Sequence, residues 1–304
     1  MIRLENTSGG AIARAIAEER HQMGSPATGM VLTMLILSNE ELASDATEAA
    51  VLSARQHPMR ILTLIPRPGR GPDHIDAQVM VGGDDGPGEV AIIRLRGDRS
   101  GHANSVVVPL LLPDTPVVSW WPSDPPPVPA DDPIGRHCAR RITDLATAPD
   151  VYAAIIARQS GYVPGDTDLA WTRLTSWRSA LASVLDDDGV GVLAATVIAE
   201  GDNPSAILLA TWLRWALQVD VVLTPSTGPG ILEVSLQTTQ GAIVLARPDG
   251  TVASLSRPGV PDSTIALPRR ALPDLLSEEL RRLDPDVVYG AVLAAVPVPG
   301  VSTP

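Results

Sequence analysis

Residues 31–65, VLTMLILSNEELASDATEAAVLSARQHPMRILTLI, decide the fold. Positions 31–37 are a nearly unbroken apolar run, the pattern of a strand covered on both faces. Positions 40–56 are rich in Ala and Glu and read as a helix, and 60–65 are a second apolar run. Strand, helix and strand in so short a span form a βαβ unit, which predicts a partly parallel sheet with a right-handed crossover. Upstream, Asn6, Thr7 and Ser8 offer caps for a helix that carries Ile12, Ala15, Ile16 and Glu19 and ends near Gly24. Downstream, strands are expected over 76–81 and 89–95, separated by the turn-forming Gly82-Gly83-Asp84-Asp85-Gly86, and again over 117–121.

Six of the twelve residues in 122–133 are proline, so this segment is expected to be stiff and extended, not helical. Positions 134–158 read as short helices. Asp166-Thr167-Asp168 is a capping cluster for a long amphipathic helix over 169–185. A strand at 190–199, a helix at 205–217 and a strand at 219–224 repeat the βαβ pattern. Short strands follow at 231–237, 242–247, 252–257 and 264–267, with Pro248-Asp249-Gly250 as a hairpin signal. Leu272, Leu275, Leu276, Leu280 and Leu283 form one helical stripe, and a last helix starts at Val287. The expected fold class is therefore α/β. Two α/β domains, 1–160 and 166–304, each hold a mixed sheet flanked by helices, and the second ends in a β-meander and C-terminal helices.

Composition narrows the function. The chain has 304 residues, 23 basic against 35 acidic, and a net charge of -12. That balance argues against nucleic acid, where affinity comes mainly from cations that release counterions from phosphates. All the basic residues are arginine, which excludes a lysine Schiff base and a P-loop lysine. Cys138 is the single cysteine and cannot close a disulfide within the chain. Residues 1–6 include Arg3 and Glu5 and show no apolar signal segment, and the longest apolar stretches, 106–112 and 287–298, fall far short of the ~20 residues of a membrane helix. A cytoplasmic protein without membrane contact is expected.

The motifs for catalysis are sparse. No Gly-x-Ser-x-Gly elbow is present, and Gly228-Pro229-Gly230 has the wrong context for a dinucleotide loop. His21, His57, His74, His102 and His137 lack the spacing of zinc ligands, and the clusters Asp84-Asp85 and Asp186-Asp187-Asp188 lack the length of a calcium loop. We expect neither metal nor cofactor. Three groups carry recognition chemistry instead. Arg140-Arg141-Ile142-Thr143-Asp144 sets two guanidinium forks beside a hydroxyl and a carboxylate, either to clamp a phosphate or carboxylate or to form an internal network. On the helix after residue 168, Asp168, Trp171, Thr175 and Arg178 share one side, and Arg173 and Trp177 are i, i+4 neighbours able to stack. They serve either as interface anchors or as a domain core. Trp120 and Trp121 face opposite ways on a strand, so one is exposed for recognition unless the sheet is covered on both faces.

The run Ser105-Val106-Val107-Val108-Pro109-Leu110-Leu111-Leu112-Pro113-Asp114 leads to Trp120-Trp121-Pro122 and then to Asp132-Pro133-Ile134-Gly135. With Arg140 to Asp144, Asp168 to Arg178, Leu267-Pro268-Arg269-Arg270 and Glu278-Glu279-Leu280-Arg281-Arg282-Leu283-Asp284-Pro285-Asp286, it resembles the glucose-6-phosphate dehydrogenase assembly protein family, OpcA, with a lysine-free composition similar to actinobacterial members. The resemblance implies a non-enzymatic partner of glucose-6-phosphate dehydrogenase that promotes its active oligomer and raises its activity at the entry to the oxidative pentose phosphate pathway. In cyanobacterial relatives the effect is linked to thiol redox state, which here leaves only Cys138, acting between molecules or through an adduct. On chemical grounds the interface anchors are Trp120, Trp121, Trp171 and Trp177, with Arg140, Arg141, Thr143, Asp144, Asp168, Arg173 and Arg178 as polar partners. Two other readings compete. One is a regulatory protein that senses a sugar phosphate or NADP(H) through Arg140, Arg141 and Thr143. The other is a hydrolase or transferase using Asp144 or Asp168 with a histidine.

Overall fold

The structure, a computed structural model, describes residues 1–22, 29–69, 72–82, 88–185 and 191–297. The expected Gly83 to Gly86 turn with Asp84 and Asp85, and the Asp186, Asp187 and Asp188 cluster, lie outside them. Along the described chain come β1 (Ile2–Leu4), α1 (Gly9–Gln22), β2 (Leu32–Leu37), α2 (Ala43–Ser53), β3 (Met59–Arg67), β4 (Ile75–Val81), β5 (Gly88–Arg96), α3 (Ala103–Val107), β6 (Val117–Trp120), β7 (Arg140–Thr143) and α4 (Val151–Ser160). There follow β8 (Asp166–Asp168), α5 (Leu169–Thr172), α6 (Thr175–Leu185), β9 (Val192–Glu200), α7 (Pro204–Leu217), β10 (Asp220–Ser226), β11 (Ile231–Thr238), β12 (Gly241–Ala246), β13 (Val252–Arg257), β14 (Val260–Ala266), α8 (Leu272–Arg281) and α9 (Val287–Ala294). They form two compact units. One is made of Met1–Asp144, Gly165–Thr167 and Leu272–Pro285, the other of Leu145–Pro164, Asp168–Ala271 and Asp286–Pro304.

The first unit holds a mixed eight-stranded sheet in the order β1-β4-β5-β3-β2-β6-β7-β8. The β2-α2-β3 segment is the expected βαβ unit, with Leu32 opposite Met59 in parallel register. Strand β2 is buried from Leu32 to Ile36, as a continuous apolar run requires of a strand covered on both faces. Helix α2 turns Ala43, Ala46, Thr47 and Ala50 inward at i, i+3, i+4 and i+7 spacing. Those small side chains let it approach the sheet closely enough for the Thr47 and Thr63 hydroxyls to hydrogen-bond at 2.7 Å. Helix α8 packs on α2 and buries Leu275, Leu276 and Leu280. Ser8 Oγ accepts from Ala11 N at 3.3 Å, so the N-terminal cap of α1 falls within the expected cluster.

The second unit holds a six-stranded sheet in the order β10-β9-β11-β12-β13-β14. Strands β9 and β10 are parallel around α7, and β11 to β14 form the antiparallel meander. Gly250, at φ 78°, allows the tight turn between β12 and β13. One face of the sheet carries Val197, Val234, Leu236 and Leu245 into a core shared with Trp177, Leu181, Leu208, Leu213 and Tyr289. On the opposite face the registers align Val222, Thr196, Ser235, Val244 and Ser256 in one row, none of them buried.

Two local expectations change. Within 134–158, where short helices are expected, Arg140–Thr143 is instead the buried strand β7. The long helix over 169–185 is broken at Arg173 and Leu174 into α5 and α6. The proline-rich segment is largely irregular, with one short 3-10 turn at Pro129–Asp131.

Candidate functional site

Nine of the eleven residues singled out by chemistry are buried: Trp120, Trp121, Arg140, Arg141, Thr143, Asp144, Asp168, Trp171 and Trp177. Arg173 and Arg178 are half-buried. Trp120 is 1% and Trp121 3% exposed, so the sheet end they occupy is covered on both faces. Such side chains are enclosed by this chain's own atoms and reach a partner only if the chain rearranges.

The Arg140 to Asp144 block is an internal network. Successive side chains on β7 point to opposite faces, so each arginine needs its own acceptors. Arg140 is ion-paired with Glu279 of α8 and donates to Asp284 O at 2.6 Å. Arg141 is ion-paired with Asp166 of β8 and donates to Cys138 O at 2.7 Å. Thr143 Oγ1 donates to Thr167 O at 3.2 Å. The close approach of the chain around Arg141 requires glycine at Gly165, at φ 99°, where an added Cβ would lie 2.6 Å from Ala139 O. Cys138 lies just before this block, buried, and that burial pushes its thiol up to about 11 despite the nearby Ser119 hydroxyl and Arg141.

In the second unit Asp168 caps α5, accepting from Ala170 N at 2.8 Å and from Leu145 N at 3.1 Å. Its carboxylate is thereby engaged by backbone donors from two segments. Trp171 donates from Nε1 to Asp286 Oδ2 at 2.8 Å and lies 5.8 Å from the Tyr289 ring, while Arg178 stacks 3.7 Å above its centroid. Of the expected one-sided grouping of Asp168, Trp171, Thr175 and Arg178, Arg178 meets both Trp171 and Thr175, donating to Thr175 Oγ1 at 3.3 Å, while Asp168 caps α5. Over Trp177, however, lies Arg247 of the strand end, 5.0 Å from the ring centroid.

Two features in the second unit go beyond these residues. A cavity of about 190 Å3 is lined by Arg173, Arg247, Arg269 and Arg270, with Trp177 and the start of α7. A separate open groove runs past Trp215, Leu193, Arg214 and Val219, where Trp215 is 40% and Leu193 62% exposed. Trp215 follows buried Leu208 and Thr211 at i+7 and i+4, so helical periodicity counts it as core. It overshoots because α7 ends at Leu217, where Gln218 adopts φ 55°. The cavity arginines are scattered between positions 173 and 270, and only the meander brings them together; the Arg269-Arg270 pair is the one signal visible in the chain.

No described helix is long and apolar enough to cross a membrane. Among the described residues no three His, Cys, Asp or Glu side chains form a group able to hold a metal ion. The solved structures that resemble the fold include KijD10, a 3-ketoreductase from Actinomadura kijaniata crystallised with TDP-benzene and NADP. The two are 10% identical over 87% of this chain and 95% of that one, at TM-score 0.47. A dehydrogenase (MviM) from Clostridium difficile is 7% identical over 86% and 94%, at 0.46. D-galactose-1-dehydrogenase from Rhizobium etli is 11% identical over 89% and 95%, at 0.40. Their activities stay with those proteins. No curated protein matches the chain. Family models are decisive: residues 50–160 match the glucose-6-phosphate dehydrogenase subunit N-terminal domain and 164–293 the C-terminal domain of the same description. The class is thus that of two-sheet α/β proteins built from these two family domains. The chain belongs to the glucose-6-phosphate dehydrogenase assembly protein family, OpcA.

Proposed function

We propose that this chain binds glucose-6-phosphate dehydrogenase in the cytoplasm, favours its active oligomer and raises its activity without turning over substrate itself. The match of both halves of the chain to dehydrogenase-subunit domains carries this reading. The side chains that chemistry would offer for catalysis also have other work: Asp168 caps a helix, and Arg140 and Arg141 hold ion pairs. An assembly factor acts by linkage, binding the active oligomer more tightly than the inactive form, and about 1–3 kcal/mol of coupling gives a roughly 5- to 150-fold effect. The contact surface that suits this role is the Trp215 groove. Tryptophan and arginine dominate interface energetics, and Trp215 with Arg214 and the exposed Leu193 offers both beside an apolar neighbour.

The test is to mix the purified chain with the dehydrogenase of the same organism and follow elution and velocity. A larger dehydrogenase species and a higher velocity are expected. Trp215→Ala is expected to weaken stimulation about tenfold or more, as for an interface anchor, with the Tm of the chain nearly unchanged. Unaltered dehydrogenase elution and kinetics at every ratio of the two proteins would remove the proposal.

A further inference from the structure

In a chain of net charge -12, four arginines line one small cavity of the second unit, and no acidic side chain is among the described residues lining it. Arg247 is only 6% exposed, and it donates to two carbonyls, Leu267 O at 3.0 Å and Ile231 O at 3.3 Å, with Nε unpartnered. Burial holds its proton less firmly than usual, the neighbouring Arg269 adds repulsion, and the exposed Asp249 offsets part of it. Arg269 donates to Pro229 O at 2.7 Å, and Arg270 has Thr172 O, at 3.1 Å, among its partners. Asn203 and Ser205, the cap and second residue of the 14-residue helix α7, also line the cavity, so the positive end of that helix opens on it. A buried cation facing another cation is costly without an anion between them. Trp177 and Leu174 supply an apolar wall on one side.

We propose that this cavity is a binding site for a small phosphate-bearing metabolite, with Arg247, Arg269 and Arg270 around the phosphate. Guanidinium forks match phosphate oxygens bidentately, and several of them favour a dianion over a single carboxylate. The volume is below the roughly 300 Å3 at the lower end of ordinary ligand pockets, so it takes a phosphate with a sugar-sized group rather than a whole dinucleotide. The site is distinct from Arg140 and Arg141, which are committed to internal ion pairs. The choice of hexose phosphate as a probe rests on the proposed dehydrogenase partnership; the anion site does not.

The test uses the full chain alone, so its outcome is independent of whether the dehydrogenase binds. Thermal melts and equilibrium dialysis are run with inorganic phosphate, with glucose 6-phosphate and with sodium chloride at matched ionic strength. A saturable Tm rise of about 3–6 °C at a hundredfold excess over Kd is expected with the phosphate probes and not with chloride. Tighter binding of glucose 6-phosphate assigns the site to a phosphate ester, and equal binding to free phosphate. Arg269→Ala, at an exposed position, and Arg270→Gln are each expected to weaken retention about tenfold with the unliganded Tm preserved. Absence of retention and of Tm rise with both probes overturns the site, and retention unchanged in both variants overturns its location.

Discussion

Arg140 and Arg141 illustrate how two adjacent cations on a buried strand are tolerated. Each points to its own side of β7 and meets its own carboxylate, Glu279 from α8 and Asp166 from β8. Removing one partner of a buried pair leaves a charge that neither water nor protein compensates, at a cost of about 3–5 kcal/mol. Glu279→Ala is therefore expected to lower the Tm by about 5–8 °C. The double change Arg140→Met with Glu279→Leu is expected to recover most of that loss, because no charge is then stranded. Cys138 makes the second prediction at this scale. With its thiol held near 11 instead of 9.0 by burial, the thiolate at neutral pH is about a hundredfold scarcer than for an exposed cysteine. Alkylation of the native chain should be slower by at least that factor, and denaturant should restore it. Because the folded state binds this proton more tightly than the unfolded state, the thiol leaves stability unchanged below about pH 9. It lowers stability as the pH rises from about 9 to 11. Sequence alone identified these residues as chemically unusual; it left open whether their acceptors belong to the chain, since Glu279 lies 139 positions from Arg140.

Among the elements, β7 and α7 show where periodicity fails. Arg140-Arg141-Ile142-Thr143 lacks an apolar run, because its charges are neutralised by distant carboxylates, so the strand is hidden from a reading based on hydrophobic pattern. Strands β2 and β3 are legible because they are buried in near-unbroken runs, and β12 and β13 because buried positions alternate along part of each. Trp215 is missed for the opposite reason, fitting the buried stripe of α7 yet standing beyond its cover. Turns impose their own demand. The chain at Gly135 passes so close to Pro129 that an added Cβ would lie 1.8 Å from its carbonyl oxygen. Gly135→Ala should thus force the loop before β7 to move, at about 3 kcal/mol, measured by denaturant unfolding.

For the whole molecule, the fold class was legible because two βαβ signals and a meander recur in order along the chain, whereas the arginine cavity was not, since its members converge only after folding. Charge acts at this scale too. A net charge of -12 repels anions at a distance, so binding to the proposed cavity is expected to tighten with added inert salt at low ionic strength, unlike binding to a basic protein. Titration with glucose 6-phosphate at several chloride concentrations measures this directly. The return of Leu272–Pro285 to the first unit has a temporal consequence. A ribosome releases this polypeptide in order of sequence, and α2 waits for α8 until more than 200 further residues have been made, as Arg140 in its turn waits for Glu279. The nascent amino-terminal part must spend that interval without the helix that packs on α2 and with an unneutralised arginine, a natural client for chaperones that attend emerging chains.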